Sequence, residues 1–499
     1  MSLILRNGRL PGSDDLVDVR IDNGLITSIG YLAHADADAD AAAAIRTVDL
    51  AERWIIPGLW DNHVHFSQWA QTSRRLDVSE ATSAADAARL VADRLAALAT
   101  LPTAGDQDRL VGFGFRDGLW PDTPTSSLLD AASGPVPVVL VSGDLHSCWL
   151  NSAALAVYGF IGHQTGLLRE DDAFAVERAI DNVPDADLDA WAEEAARAAA
   201  ARGVVGIVDL EMTWNLDVWR RRMAAGHDQL RVDFGLYTHH LDDAIEQGLI
   251  SGQVIEGTGG LLTVGPYKVI TDGSLNTRTA YCFDAYPGLT GEHDRGMLTV
   301  PADELRTQMR RAHAAGIRPA VHAIGDSANS LALDAFEAVG CTGSIEHAQL
   351  LTEADVARFA RLGVTASVQP EHALDDRDVA DRYWAGRTDR AFRLADLLAA
   401  GVTLALGSDA PVAPLDPWLA IAAAVGRTRG DRAAWHPDQA ISRQAALAAS
   451  ARGRHAIAVG QPADLAICGI DPFVASIADL RRMPVAATLL GGRFTHDTL

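Results

Sequence analysis

The middle of the chain repeats one arrangement of apolar and polar positions. The stretches "AAAARGVVGIVDLE", "RAHAAGIRPAVHA", "DAFEAVGCTGSIEHA", "RFARLGVTASVQP" and "DLLAAGVTLALGSDA" each run from a helical segment through a glycine into a short apolar run. Gly203, Gly316, Gly340, Gly363 and Gly401 stand where a helix C-cap is expected. The runs that follow are almost continuously apolar, as strands buried on both faces must be. Repeated units of this kind build either a (β/α)8 TIM barrel or a doubly wound sheet. The units end in Glu211, His322, His347, Gln369 and Asp409, so polar residues gather at strand C-termini. A barrel brings those ends to one mouth, and no glycine-rich nucleotide motif supports the alternative. The pattern predicts an α/β barrel whose eight strands end near His65, Asp209, Tyr237, Lys268, His322, His347, Val368 and Ser408.

Both ends of the chain carry a different rhythm. "LILRNGRL", "LVDVRIDNGLITSIG" and "IRTVDL" alternate apolar and polar residues, with Asn-Gly turn signals at 7–8 and 23–24. "ADLAICGI" and "VAATLLGGRFT" return to that style near the C-terminus. The expectation is a small β-sandwich domain built from 1–56 and 456–499, with the barrel over 57–455. "HADADADAAAA" (34–44) reads as a surface loop or short helix. An inserted α/β subdomain is expected at about 70–165, where "RLVGFGF" and "VPVVLVSGD" look like strands and Ser83 with Asp86 forms a helix-capping pair. The Trp and Phe residues at 113–120 are read as the core of that subdomain rather than as a substrate cage.

Composition narrows the function classes. A net charge of −24 argues against nucleic acid and anionic membranes as partners, because both reward basic surfaces. Four scattered cysteines without a C-x-x-C fit a reducing compartment. The first residues show no signal-peptide pattern, and no apolar run reaches the roughly 18 residues of a membrane span. The expectation is a soluble cytoplasmic protein acting on a small-molecule substrate, with a homodimer left open.

The chemistry begins at "GLWDNHVHFSQ" (58–68), where His63 and His65 stand two apart at a strand end and so project to one face. Lys268, His322, His347 and Asp409 end the fourth, fifth, sixth and eighth expected strands. Four imidazoles and a carboxylate at one mouth suit Zn2+ or another borderline divalent ion. If His63, His65 and Asp409 hold one ion, His322 and His347 are left for a second, and two ions need an anionic bridge. Lysine as an ammonium cannot ligate, but Lys268 carbamylated by CO2 would offer an oxygen to each ion. Ordinary roles stand beside these: structural histidines, an ion pair of Lys268 with Asp272, and a turn cap for Asp409.

At this point the chain resembles the amidohydrolase superfamily, in its amidohydrolase family 3 branch of N-substituted formamide deformylase-like hydrolases. The resemblance is carried by "PGLWDNHVHF", "GDLHSCWLNSAAL", "YKVITDGSLNTRTA", "VHAIGD", "IEHAQ", "SVQPEH" and "GSDAPVAPLDP", in order from residue 57 to 417. "GQPADLAICGIDP" is similar to the strand that returns to the β-domain. The resemblance implies metal ligation by His63, His65, a carbamylated Lys268, His322, His347 and Asp409. It further implies cleavage of an amide, formamide or N-acyl C–N bond by a metal-bound hydroxide. Asp409 would carry the proton, and His146 and Arg278 would bind substrate. The rival readings are a one-metal deaminase or an ester or lactone hydrolase on the same scaffold. A non-catalytic scaffold protein predicts missing ligands, and none is missing.

Overall fold

The computed structural model describes residues 2–31, 45–99, 109–180 and 182–499; the stretch 34–44 lies outside the described residues. The chain divides into two compact units, residues 1–66 with 193–499, and residues 67–192.

The first unit contains the barrel. Its strands are β1 (Leu59–Val64), β2 (Val204–Asp209), β3 (Arg231–Tyr237), β4 (Leu262–Ile270), β5 (Pro319–Ala323), β6 (Ser344–His347), β7 (Thr365–Val368) and β8 (Leu404–Leu406). They pair in parallel in sequence order, as the repeat predicted. All six residues of β1 are buried, the burial expected of a strand covered on both faces. The capping glycines also behave as expected: Gly340 and Gly363 end helices Asp326–Val339 and Glu353–Leu362 at φ 72° and 64°.

The ring closes between β8 and β1 just beyond the end of β8. A parallel bridge joins Val64 to Ala410. Asp409 N–H donates to His63 O at 2.7 Å, and His65 N–H to Ala410 O at 2.8 Å. Side chains reinforce the seam: Asp61 Oδ1 accepts from Ser408 N–H at 2.9 Å, and Asn62 Nδ2 donates to Leu406 O at 2.8 Å. Closure therefore welds the first and last ligand-bearing segments together.

The loops that follow β4 to β8 build a core of their own, in which Leu275, Tyr286, Ile324, Trp384, Phe392 and Trp435 pack together. This cap lies on the C-terminal side of the strands. Strands from both termini form a separate eight-stranded sheet in the same unit. In it Trp54–Pro57 lies between Leu465–Cys468 and Ser2–Arg9, and both arms of the sheet feed one core including Leu5, Ile21, Ile55, Ile467 and Leu489.

The two Asn-Gly signals had different fates. Asn23 and Gly24 (φ 51° and 81°) do form the hairpin turn between Leu16–Asp22 and Leu25–Gly30. Asn7–Gly8, expected as a turn, lies inside strand Ser2–Arg9 as a bulge, with pairing slipping between Leu5 and Gly8. Asn7 N–H is satisfied by Asp18 Oδ1 at 3.0 Å, and a Cβ on Gly8 would fall 2.6 Å from Ile55 Cδ1.

The second unit holds a five-stranded sheet that includes Leu110–Phe115 and Val138–Ser142, both expected as strands. Phe115, Trp120 and Trp149 form one aromatic cluster with ring centroids 5.9–6.4 Å apart, which places these rings in the core of the unit. Ser83 Oγ accepts from Asp86 N–H at 3.0 Å, the expected cap. All four cysteines are buried, and none of them forms a disulfide. Among the described residues no helix is long and apolar enough to cross a membrane.

Candidate metal centre

His63 is the last residue but one of the buried β1, and His65 follows the strand at the seam. The strand register then sets the other groups side by side. Pairing β4 with β5 sets Ile270 opposite His322, and pairing β5 with β6 sets Ala323 opposite His347. Lys268, only 2% exposed, lies two residues before the end of β4.

Asp409 is the hub. Its Oδ1 lies 3.3 Å from His63 Nε2 and 3.5 Å from His65 Nε2, and its Oδ2 lies 4.0 Å from His372 Nε2. Two groups of ligand atoms result, each within 4.8 Å of one another: His63, His65 and Asp409, and His347, His372 and Asp409. His322 adjoins the second group, with its ring 4.4 Å from that of His347. Lys268 Nζ stands 3.2 Å from His63 Nε2.

In His63 and His347 the ring nitrogen that faces away from this centre is held by another side chain, whereas His65 Nδ1 is buried without a hydrogen bond. His63 Nδ1 is 2.7 Å from Glu346 Oε2, and His347 Nδ1 is 2.9 Å from Gln369 Oε1. Such partners fix the tautomer and leave Nε2 free to ligate. His322 Nε2 and His372 Nε2 are buried and make no hydrogen bond. Orphaned buried nitrogens of this kind call for a partner, and a divalent ion of the Zn2+ type fits an imidazole–carboxylate donor set.

The electrostatics favour the ligating protonation states of His63, His347 and Asp409, whereas Asp409 holds His65 above the usual imidazole range against burial. Burial and the Lys268 charge push His63 down to about 4, and burial with the neighbouring His322 pushes His347 well below the usual imidazole range. Burial alone would raise Asp409, but His63, His65 and His347 together hold it well below the usual carboxylate range. Glu346 is likewise held down against burial by its bond to His63. For Lys268 burial prevails over Glu346 and Asp409, and the amine is pushed toward its neutral form.

Backbone strain marks the same residues. His347 (φ 73°) and Asp409 (φ 59°) both occupy the left-handed region. That conformation costs a non-glycine residue roughly 1–2 kcal/mol, and such residues cluster at functional sites.

Sequence reasoning missed three contributors. His372 stands in "SVQPEH", on the short helix Pro370–Asp375 after β7 rather than on a strand, so the strand-end rule passed over it. Glu346 sits immediately before His347 and reads as an ordinary strand carboxylate. Asp61, pushed up to about 7 by burial, holds the seam by accepting from the N–H groups of Ser408 and His63. The ion pair considered for Lys268 and Asp272 is not how Asp272 is used. Its carboxylate accepts from the N–H groups of Tyr281, Ile324 and Gly325, and lies 3.4 Å from His322 Nε2.

The two residues expected to bind substrate belong to different units. Arg278 lies in the loop after β4, with its guanidinium 5.3 Å above the Tyr383 ring. His146 belongs to the second unit, where its Nδ1 is 3.1 Å from Glu170 Oε2. Asn151, from the same motif, is a structural residue: it caps helix Ser152–Val157 and accepts from Val138 N–H at 3.0 Å.

Comparison with known proteins extends these observations over the whole chain. The protein LONG AFTER FAR-RED 3 of Arabidopsis thaliana is 28% identical, covering 90% of this chain and 82% of the relative. The N-substituted formamide deformylase of Arthrobacter pascens is 25% identical, covering 96% and 94%. An uncharacterized metal-dependent hydrolase from Pyrococcus horikoshii superposes with a TM-score of 0.77 at 25% identity, covering 96% of this chain and 99% of that one. The profile of the amidohydrolase family matches residues 46–496, which takes in every barrel strand and the returning C-terminal strands. A match of that extent rests on the whole architecture rather than on one shared motif: this chain belongs to the amidohydrolase family.

Proposed function

We propose that the chain hydrolyses a C–N bond of a small molecule, an amide, formamide or N-acyl group, with divalent metal held at the barrel mouth. The observation that carries this reading is Asp409, one carboxylate shared between two imidazole groups. A formamide deformylase among the relatives supports the choice of bond.

His63, His65 and Asp409 would hold one ion, and His347, His372 and Asp409, with His322 beside them, a second. Bound divalent metal, Zn2+ being the ion this donor set suits, lowers the pKa of water and polarises a carbonyl oxygen. Lys268, buried with its amine pushed toward neutral, is placed to take up CO2 as a carbamate, releasing a proton and presenting two oxygens between the groups. Asp409, ionised in the free protein, accepts the proton of the attacking water and returns it to the leaving nitrogen. Glu346 holds His63 in the tautomer that directs Nε2 inward.

The test joins metal analysis of the purified protein with turnover of matched formamides, N-acyl amides, esters and lactones. Two ions per chain with turnover of the C–N substrates is the expected result. Full turnover by metal-free protein, or turnover of esters and lactones alone, overturns the reading. A single ion with unmodified Lys268 favours the one-metal alternative.

A further inference from the structure

The helix that carries His372 has little of its own to hold it. Pro370–Asp375 is six residues long, and Gln369 at its N-cap makes no side-chain capping bond. Gln369 Oε1 is committed to His347 Nδ1 at 2.9 Å. Helices of that length are marginal unless tertiary contacts fix them. Yet His372 Nε2 stands 4.0 Å from Asp409 Oδ2 and belongs to the second group of ligand atoms. A small displacement of this helix moves a ligand.

The residue before His372 supplies an anchor. Successive helical positions point about 100° apart, so Glu371 turns to a different neighbour from His372. Glu371 is only 4% exposed and accepts from Arg481 at both oxygens, Nη1 to Oε2 at 3.0 Å and Nη2 to Oε1. Arg429 Nη1 adds a bond to Oε1 at 3.1 Å, and its Nη2 binds Asp375 Oδ1 at 2.6 Å. A carboxylate held at two points by a guanidinium is fixed in orientation as well as in place. Ala373 and Leu374 bury the helix as well. Apolar burial is non-directional, and the two-point pair sets the rotation of the helix.

Arg481 is itself pinned. It ends helix Ile477–Arg481, which Ser476 caps by accepting from Asp479 N–H at 3.1 Å. Arg202, just before β2, donates to Met483 O at 2.8 Å and to Arg481 O at 3.4 Å, and its Nε binds Asp416 Oδ2 at 2.8 Å. Helix Ile477–Arg481 lies so close to helix Pro417–Gly426 that a Cβ on Gly426 would fall 2.9 Å from Ile477 Cγ1. Two residues beyond Met483 begins strand Val485–Leu490 of the terminal sheet. A chain of contacts therefore runs from the terminal sheet through Arg481 and Glu371 to His372.

We propose that Glu371 is a positioning residue for the metal centre: clamped by Arg481 and Arg429, it sets His372 for the ion that His372 would share with His347 and Asp409. The C-terminal segment thereby contributes to ion binding without supplying a ligand. The proposal rests on the reading of two metal-binding groups above.

The experiment titrates metal-stripped protein with Zn2+ against a chromophoric chelator and reads two binding steps, with the Tm of the stripped form alongside. His372→Ala identifies the step that uses His372. Glu371→Gln should weaken that same step by about tenfold, the lower end of what the outer partners of ligating residues control, and leave the other step unchanged. Arg481→Gln should match it. Arg481→Lys keeps the charge without the two-point contact and should fall between wild type and Arg481→Gln. Arg429→Gln should show a smaller loss, because its side chain is 46% exposed. A Glu371 that serves folding alone would lower Tm and weaken both steps alike, and that result overturns the proposal. Unchanged affinity in Glu371→Gln and Arg481→Gln also overturns it, as does a His372→Ala variant that weakens neither step. Where Glu371→Gln does not fold, the two Arg481 variants decide by the same criteria. A wild type that takes up fewer than two ions overturns the two-ion reading, and the proposal with it, before any variant is compared.

Discussion

Glu346→Gln tests the centre through a residue that touches no reacting atom. The carboxylate is buried, accepts from His63 Nδ1 at 2.7 Å, and is also bonded by the Ser344 hydroxyl. Glutamine keeps the volume and can still accept through its oxygen, so the bond survives without its charge. A hydrogen bond to a charged group contributes about 1.5–3 kcal/mol and a neutral one about 0.5–1.5, a loss of roughly 1–1.5 kcal/mol. That corresponds to about a tenfold loss of metal affinity, the lower end of what the outer partners of ligating histidines control. Glu346→Ala should cost more, because it leaves His63 Nδ1 buried without an acceptor, a further penalty of about 1–3 kcal/mol.

The charge at Glu346 also opposes neutralisation of Lys268, so its removal favours the free amine. The loss should therefore fall on ion binding and not on Lys268. The assay is titration of metal-stripped protein with Zn2+ against a chromophoric chelator, with the Tm of the stripped form measured alongside. Unchanged affinity in both variants, or a loss equal in glutamine and alanine, would refute the idea that Glu346 tunes His63 through a charge-assisted bond.

Asp409→Asn should keep the fold and lower kcat by at least ~10², the lower bound for general acid–base catalysis; near-normal kcat removes Asp409 from that role. Lys268→Ala should lose activity and regain part of it with added short-chain carboxylates that occupy the bridge, and failure of every such anion to restore activity counts against a bridging carbamate. Asn151→Ala removes a helix cap and the acceptor of the buried Val138 N–H, so the 67–192 unit should lose about 2–4 kcal/mol in denaturant titration, with a loss under about 0.5 counting against the assignment. Arg427 is buried with Nη1 and Nη2 lacking hydrogen bonds, and burial pulls it down to about 10. Replacing it with methionine should leave Tm equal or higher, and a loss beyond about 2 kcal/mol would contradict that expectation.

The residues expected from strand-end chemistry do meet at one mouth: His63, His65, Lys268, His322, His347 and Asp409 all stand at or beside barrel strand termini. The aromatic residues around 115–120 were legible as core because their surroundings are strands and an amphipathic helix. Asn7–Gly8 was misread because the same dipeptide serves a turn or a bulge, and the choice lies with Asp18 and Ile55, which are distant in sequence.

The sequence by itself determined what depends on near neighbours along the chain. Burial on both faces writes a continuous apolar run, a helix end writes a glycine, and a parallel barrel follows from their repetition. It also determined which side chains end each strand, since that is a matter of counting. What only the tertiary structure decided is which of those groups touch. His63 meets Lys268 across 205 residues and Glu346 across 283, and no local period encodes such a pairing. The left-handed turns at His347 and Asp409, the arrival of His372 from a helix, and the meeting of Arg278 with Tyr383 are of the same kind. Each exists because barrel closure and cap packing hold the backbone there, and those forces act between segments far apart in the chain.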